Sequence, residues 1–201
     1  MKKLFPLLLI VGGALLILFS VWQIWDSNRL QANAVTEAKD KIMQSAKERK
    51  NMNASETLPI DFQADEGEVI GILKIPTLDR ELPIVAGVAE EDLKRGVGHY
   101  PGTSFPGQES QIVLSGHRDT VFRQFGDLNM GDRFIVEMPY GTFEYTIQDS
   151  EIVHADDLSV IKPDDYHEEI LTITTCYPFH YIGDAPDRYI LYATPKEAEN
   201  K

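Results

Sequence analysis

The chain has 201 residues, of which 43% are hydrophobic and 25% are charged, values that fit one ordinary domain with an extension rather than two large domains. Its formal net charge is −13, and the acidity is concentrated after residue 55, where 28 acidic residues outnumber 11 basic ones. A domain of that sign does not attract phosphate backbones, which argues against nucleic acid as a partner. We expect the acidity to serve mainly solubility.

The N-terminus carries an apolar run from Leu4 to Trp25. As a helix rising about 1.5 Å per residue it reaches roughly 33 Å, enough to cross a hydrocarbon core of about 30 Å. Lys2 and Lys3 precede the run, so residues 1–25 are predicted to be a cytoplasmic tip and membrane anchor, with the rest of the chain outside. A cleaved signal peptide is the alternative, but the run exceeds the roughly 7 to 15 residues of a signal core.

Residues 26–58 are polar and lack a strand pattern. They are predicted to form a helical or partly flexible stalk, because apolar residues recur at mostly helical spacing between alternating charges. These residues are Leu30, Val35, Ala38, Ile42 and Ala46. Residues 51–55 are typical of a break before a folded domain that occupies 59–201.

From about residue 59 the pattern changes to short strands separated by turn residues. A helix is predicted over 89–95, where acidic residues come first, basic residues last, and a glycine follows. Roughly eight short strands with few helices predict a mainly β fold, a closed or nearly closed β-barrel. The clearest strands are 69–75, 81–85, 111–115, 133–138, 143–147, 170–176 and 188–192.

The chain contains one cysteine, Cys176, although exported domains that use cysteine normally carry disulfide-bonded pairs. The thiol is therefore either an inert, buried group or a reactive one. Alternation along its strand puts Cys176 on the face of Thr172 and Thr174, and Pro178 ends the strand just beyond it. A thiol at the mouth of a barrel strand, beside hydroxyl groups, is placed for reactivity.

A thiol that attacks a carbonyl needs a proton-transfer partner and a donor for the oxyanion. His117 follows an apolar strand and a glycine, where a side chain can project over a cleft. His180 lies four residues from Cys176, but its extended loop does not fix its orientation. The residues alone leave the choice open among His99, His117, His154, His167 and His180.

Arg188 opens the last predicted strand, twelve residues after Cys176. If these two strands pair as neighbours, their facing ends bring the guanidinium close to the thiol. The alternative is a surface arginine that pairs with Asp184 or Asp187. Arg188 is therefore the candidate for stabilising developing negative charge.

The segment Thr172-Ile173-Thr174-Thr175-Cys176 resembles the Thr-Leu-x-Thr-Cys signature of the sortase family, with Ile in place of Leu. Gly116-His117-Arg118 resembles the family's catalytic-histidine segment, and Arg188 stands where its catalytic arginine does. The resemblance extends from about residue 70 to residue 193, and Cys176-Tyr177-Pro178-Phe179 is most like class D. Three motifs in the right order are far more specific than any one of them.

The resemblance implies an eight-stranded sortase-type barrel and a cysteine transpeptidase. Such an enzyme cuts a Leu-Pro-x-Thr sorting signal after Thr, holds the peptide as a thioester and passes it to a cell-wall peptide amine. The implied roles are nucleophile for Cys176, proton donor and acceptor for His117, and oxyanion stabiliser for Arg188. The implied partners are surface proteins with C-terminal sorting signals, met at the outer face of a Gram-positive cell membrane. No substrate-binding residue is predicted.

Two other functions remain open: an anchored binding module with an inert thiol, and a cysteine peptidase that hydrolyses rather than transfers. A thiol-disulfide oxidoreductase is disfavoured because it would usually have a second cysteine. A zinc site is disfavoured because Cys176 lacks the set of close-spaced Cys and His partners that most such sites show.

An acidic stretch precedes the cysteine strand, near the loop where some sortases bind calcium. Such a run is usually only solvated, so we predict no metal and no cofactor, with calcium as the alternative. The residues concerned are Asp156, Asp157, Asp164, Asp165, Glu168 and Glu169.

Overall fold

The computed structural model describes residues 4–51, 61–181 and 183–196. Its first element is helix α1, Leu4–Asn51, which is 48 residues long and runs without interruption through the predicted anchor and into the predicted stalk. The apolar part of α1 is exposed from Leu8 to Trp25, and by length and composition the helix could span a membrane. Of the predicted break at 51–55, Asn51 is the last residue of α1, while 52–55 lie outside the described residues, as does the boundary between residues 58 and 59.

The second half of α1 packs against the barrel through small residues. Ala34 and Ala38 lie one turn apart on the same helix face and are 2% and 1% exposed. They form a small apolar cluster with Val69, Ile72 and Val85 of the barrel wall. This part of α1 is therefore a docked helix, with its first buried contact nine residues, about 13 Å, beyond Trp25.

Ion pairs border this apolar contact. The Lys39 ammonium lies 2.6 Å from the Glu81 carboxylate, and that of Lys41 lies 2.9 Å from Glu68. The hydrogen bond from Lys41 lowers the pKa of Glu68. The four side chains are 36% to 48% exposed, so these pairs fix the register of the helix on the barrel more than they stabilise it.

Among the described residues, eight strands form a closed barrel, and one further α-helix, α2 (Glu90–Arg95), lies between the second and third strands. The strands are β1 (Val69–Ile75), β2 (Arg80–Ala86), β3 (Val97–His99), β4 (Gln111–Gly116), β5 (Arg133–Met138), β6 (Gly141–His154), β7 (Ile170–Tyr177) and β8 (Asp187–Pro195). Around the barrel the order is β1-β2-β3-β4-β7-β8-β6-β5; β2–β3 and β4–β7 are parallel and all other pairs antiparallel. The predicted mainly β, closed-barrel fold is confirmed.

The barrel interior is filled by aliphatic side chains from every strand and by aromatic rings. Phe122 and Phe125, in the segment after β4, pack with ring centroids 4.0 Å apart, and Phe134 of β5 stacks on Phe125. Tyr145 is buried among them and donates its hydroxyl hydrogen to Glu169. Burial, followed by the nearby Glu169 carboxylate, raises the pKa of Tyr145, which keeps the phenol a donor.

Candidate active site

Cys176 lies at the mouth of the barrel, one residue before the end of β7. In the antiparallel pairing of β7 with β8, it is directly opposite Arg188. Residues so opposed have Cβ atoms about 4.5–5.5 Å apart, so the two side chains start as neighbours on one face. The thiol is free and only partly buried, so it is not sealed in the core.

His117 reaches the same mouth from the other side of β7. The parallel pairing of β4 with β7 aligns Gly116 with Thr175. His117 and Cys176 are the next residues along these two adjacent segments, so they lie side by side. The Thr175 hydroxyl strengthens this alignment by donating to the Gly116 carbonyl over 2.8 Å. Only glycine fits there, because a Cβ on residue 116 would lie 2.5 Å from the Phe122 ring.

The imidazole of His117 faces the N-terminal end of α2. Its Nε2 atom lies 3.6 Å from a carboxylate oxygen of Glu90, and the side chains are 36% and 68% exposed. An exposed pair at that distance contributes little energy. The ring is therefore placed mainly by the backbone, where the His117 carbonyl accepts a hydrogen bond from the Phe122 N–H over 3.1 Å.

The Arg188 guanidinium is held by its own loop. It donates to the carbonyls of Ala185 and Asp187, over 3.3 and 3.0 Å. Within the described parts of the chain, the guanidinium makes no hydrogen bond to the carboxylate of Asp184 or Asp187. Its charge therefore remains available to a bound group.

One open cavity of about 540 Å³ brings the three predicted residues together. It is lined by His117, Cys176 and Arg188, with residues 118–120 on one side and 183–185 on the other. A thiol, an imidazole and a guanidinium around one cavity are the groups needed to attack a carbonyl, move a proton and stabilise an oxyanion.

A second, more apolar groove of about 240 Å³ approaches the same point along the outer faces of β4 and β7. Thr174 and Thr172 lie in it two and four residues before Cys176, and Arg188 lines both cavities. Side chains from α2 and from the loop between β6 and β7 complete the walls: Leu93, Leu158, Val160 and Ile161 among them. Sequence reasoning did not predict this groove, because its walls come from distant segments.

The loop between β6 and β7 is fastened from the start of β4. The Gln111 side chain is fully buried and donates to the Val160 carbonyl over 2.8 Å and to the Thr172 hydroxyl over 2.9 Å. Its amide oxygen accepts from the Lys162 N–H over 2.7 Å. One side chain thus ties the groove wall to the groove floor.

The loop between β7 and β8 is fastened from just beyond the end of β4. The Arg118 guanidinium donates to the carbonyls of Pro178, Tyr181 and Gly183, over 2.8, 2.7 and 3.1 Å. The sequence placed Arg118 in the histidine segment but did not predict this contact. Every residue has a backbone carbonyl, so a sequence does not show which carbonyls accept hydrogen bonds from a side chain.

The other histidines lie away from the cavity that holds Cys176. His99 is buried, stacks on Phe105 with centroids 4.2 Å apart, and has Nε2 2.9 Å from the Ser104 carbonyl. Burial lowers the pKa of His99, which keeps the ring neutral. The remaining three are exposed: His154, His167 and His180.

The acidic stretch before β7 does not gather into a ligand set. Among the described residues, no group of three or more His, Cys, Asp or Glu side chains could hold a metal ion. Glu169 is occupied by the Tyr145 hydroxyl and by the Gly107 N–H, 2.7 Å away. The absence of a metal or cofactor stays a prediction.

A closed barrel with a thiol, an imidazole and a guanidinium at one mouth is the arrangement of a cysteine enzyme that acts on peptide bonds. The sortase domain model matches residues 73–196 of this chain. The chain is 42% identical to Sortase D of Bacillus subtilis (strain 168) over 194 residues, which are 96% of this chain and 98% of that protein. The chain belongs to the sortase family, whose members are cysteine transpeptidases.

Solved structures give the same result. The catalytic domain of B. anthracis SrtD is 43% identical, with a TM-score of 0.56, and the match covers 71% of this chain and 97% of that one. Sortase C1 of Streptococcus agalactiae is 27% identical, with a TM-score of 0.61, over 88% of this chain and 97% of that one. The structural relatives thus include members from classes C and D, while the more similar sequences are class D.

Proposed function

We propose that this sortase cleaves a Leu-Pro-x-Thr sorting signal after Thr and joins the Thr carbonyl to an amine of the cell-wall peptide, with Cys176 carrying the acyl group between the two steps. The observation that supports the proposal most is the single cavity lined by His117, Cys176 and Arg188. The register that opposes Cys176 to Arg188 and the alignment of His117 beside Cys176 make this proximity a property of the barrel itself.

In the first step the Cys176 thiolate attacks the Thr carbonyl carbon, and Arg188 donates to the oxygen that becomes negative. The carbon–nitrogen bond then breaks, and the leaving amine takes a proton from the His117 imidazolium. A thioester remains on Cys176. In the second step the acceptor amine attacks this thioester and loses a proton to His117, and the thiolate leaves, so the enzyme returns to its starting state.

The apolar groove is the proposed site of the sorting signal. Its floor carries Thr172 and Thr174, which lead along β7 to Cys176, and its walls are mainly aliphatic, as suits leucine and proline side chains. Arg188 stands where the groove ends, next to the thiol. While the acyl peptide occupies the groove, the acceptor has to enter through the polar cavity on the other side of Arg188.

The proposed partners are surface proteins with C-terminal sorting signals and the cell-wall peptide that accepts them. The apolar part of α1 fits a single-pass membrane protein. We propose that Lys2 and Lys3 keep its N-terminus in the cytoplasm, so that the barrel faces the wall from the outer membrane surface. The docking of Ala34 and Ala38 would hold the barrel close to that surface.

The proposal is tested with the full-length protein in detergent and a peptide containing Leu-Pro-x-Thr, with and without an added amine. We expect cleavage after Thr and, with the amine present, a product in which the amine is joined to Thr. A peptide with Pro and Thr exchanged serves as the control and should not be cut.

Two outcomes would contradict parts of the proposal in different ways. If Thr-amine product never forms at any amine concentration while cleavage continues, the chain is a hydrolytic peptidase. If the Cys176→Ala variant retains cleavage, the proposed nucleophile is wrong.

A further inference from the structure

Arg118 is an unusual residue for the edge of an open cavity, because its side chain is only 6% exposed. A charged side chain is rarely buried to this degree unless it has partners. Asp119 supplies a weak one, with a carboxylate oxygen 3.5 Å from the Arg118 Nε atom and a side chain that is 74% exposed. Nε makes no hydrogen bond to any residue that the structure describes.

The partners that compensate the burial are three backbone carbonyls, and all belong to the loop between β7 and β8. Nη1 donates to Pro178, and Nη2 donates to both Tyr181 and Gly183. A guanidinium presents its donors in a rigid plane, so it can hold several acceptors in one arrangement. An ammonium is a single point and cannot reach all three in the same way.

This loop forms one wall of the cavity. Gly183 and Ala185 line it, and the Ala185 carbonyl also accepts a hydrogen bond from Arg188. The loop has no strand partner from Pro178 to Pro186 among its described residues. The Arg118 guanidinium is therefore the main polar link between the β7–β8 loop and the segment after β4 that carries His117.

We propose that Arg118 is a positioning residue: its guanidinium holds the β7–β8 loop so that the cavity wall at 183–185 is set for the incoming acceptor amine. The inference rests on the proposed function, and it assigns the two steps of the reaction to differently held parts of the site. Cys176 and His117 are fixed by strand pairing, whereas the wall that faces the acceptor depends on Arg118.

The test compares Arg118→Lys and Arg118→Met with Arg95→Met, using the full-length protein in detergent. Arg95 is a matched control, since its guanidinium is also partly buried and donates to a loop carbonyl, that of Gly67 over 2.5 Å, but it does not line the cavity. The readouts are the rate of thioester formation, the ratio of amine-transfer product to hydrolysis product at fixed amine concentration, and amide hydrogen exchange over 178–186.

For Arg118→Lys we expect the transfer-to-hydrolysis ratio to fall about tenfold, since a displacement near 1 Å of a substrate-positioning group has effects of this order or larger. Thioester formation should change by less than about threefold, because the strand pairs that place Cys176, His117 and Arg188 remain, and Arg188 keeps its shorter hydrogen bond to the Asp187 carbonyl. Exchange over 178–186 should accelerate. Arg118→Met should lower the ratio at least as far, and Arg95→Met should leave it unchanged.

A purely structural role would lower the melting temperature and both steps together, leaving the product ratio at the wild-type value. That result would overturn the inference, as would unchanged hydrogen exchange over 178–186 in Arg118→Lys. If Arg118→Met does not fold, the lysine variant and its exchange data still decide the question. Failure of the proposed function would look different, because the wild-type protein itself would then form no transfer product.

Discussion

The two loops that border the candidate site are held in the same manner but with different chemistry. The β6–β7 loop, which walls the apolar groove, is tied by the neutral amide of Gln111 at the start of β4. The β7–β8 loop, which walls the polar cavity, is tied by the charged guanidinium of Arg118 just past the end of β4. One strand thus sets both walls from its two ends.

The difference between the two side chains fits the surroundings of each loop. Gln111 is completely buried and its amide meets one hydroxyl, one carbonyl and one N–H, so no charge has to be removed from water. Arg118 lies beside an open cavity with Asp119 nearby, where a buried positive charge is partly compensated. The apolar groove proposed for the sorting signal is held by Gln111, and the cavity wall proposed for the acceptor amine is held by Arg118. Peptide binding and amine transfer should therefore respond separately to mutation of these two residues.

The largest effect on catalysis is expected for Arg188, which lines both the apolar groove and the polar cavity. Arg188→Lys retains the charge but loses the planar fork, so the oxyanion should lose a directed donor. Thioester formation from a Leu-Pro-x-Thr peptide should fall about 10²–10³-fold, the usual cost of removing one oxyanion donor. Arg123→Lys, an exposed arginine that donates to the Asp119 carbonyl, should leave the rate unchanged. A rate for Arg188→Lys within threefold of wild type would remove Arg188 from the chemistry.

A smaller effect is expected in the groove. Gln111→Met keeps the approximate size but removes all three hydrogen bonds, which should loosen the β6–β7 wall. KM for the sorting peptide should rise about tenfold, which corresponds to about 1.4 kcal/mol, while the transfer-to-hydrolysis ratio stays at the wild-type value. Thr172→Val removes only one of the three partners and should have a weaker effect. If Gln111→Met changes the product ratio instead, the two walls do not act separately.

The smallest effect concerns acid stability, which arises away from both loops. The pKa of His99 is lowered by burial, so between its folded value and about 6.5 the unfolded chain binds more protons. His99 should therefore not reduce stability above about pH 6.5, and should reduce it as the pH falls below that value. Melting temperatures from pH 7.5 to 5 should fall less steeply for His99→Gln than for wild type or for His167→Gln. Equal slopes in all three proteins would contradict this prediction.

Alternation of apolar residues in the sequence predicted most of the barrel. It identified both members of the β5–β6 hairpin and the β7 strand whose outer face carries Thr172, Thr174 and Cys176. It did not predict β3, whose three residues are too few to show a period. It also ended β6 at about residue 147, because the continuation over 148–154 is largely exposed and polar and begins with a register shift between 147 and 149 in its pairing with β8.

The helix contact and the loop contacts could not be predicted for a different reason. Ala34 was not among the apolar positions predicted for the stalk, because the larger side chain of the neighbouring Val35 fills that turn of the pattern, yet Ala34 is among the most buried residues of the helix. Gln111 and Arg118 bind backbone carbonyls far away in the chain, and any residue type can supply a carbonyl. By contrast, Cys176 and Arg188 each lie at the end of a strand that the sequence pattern predicted, and the pairing of those two strands brings the residues together.

The proposed mechanism requires that Cys176 carry an acyl group between the two steps. The full-length protein should be incubated with a Leu-Pro-x-Thr peptide without acceptor, quenched in acid, and analysed by intact and peptide-level mass spectrometry. We predict an added mass equal to the acyl fragment ending in Thr, located on Cys176, released by hydroxylamine and missing in Cys176→Ala. An adduct on any other residue, or cleavage by Cys176→Ala at the wild-type rate, would contradict the account.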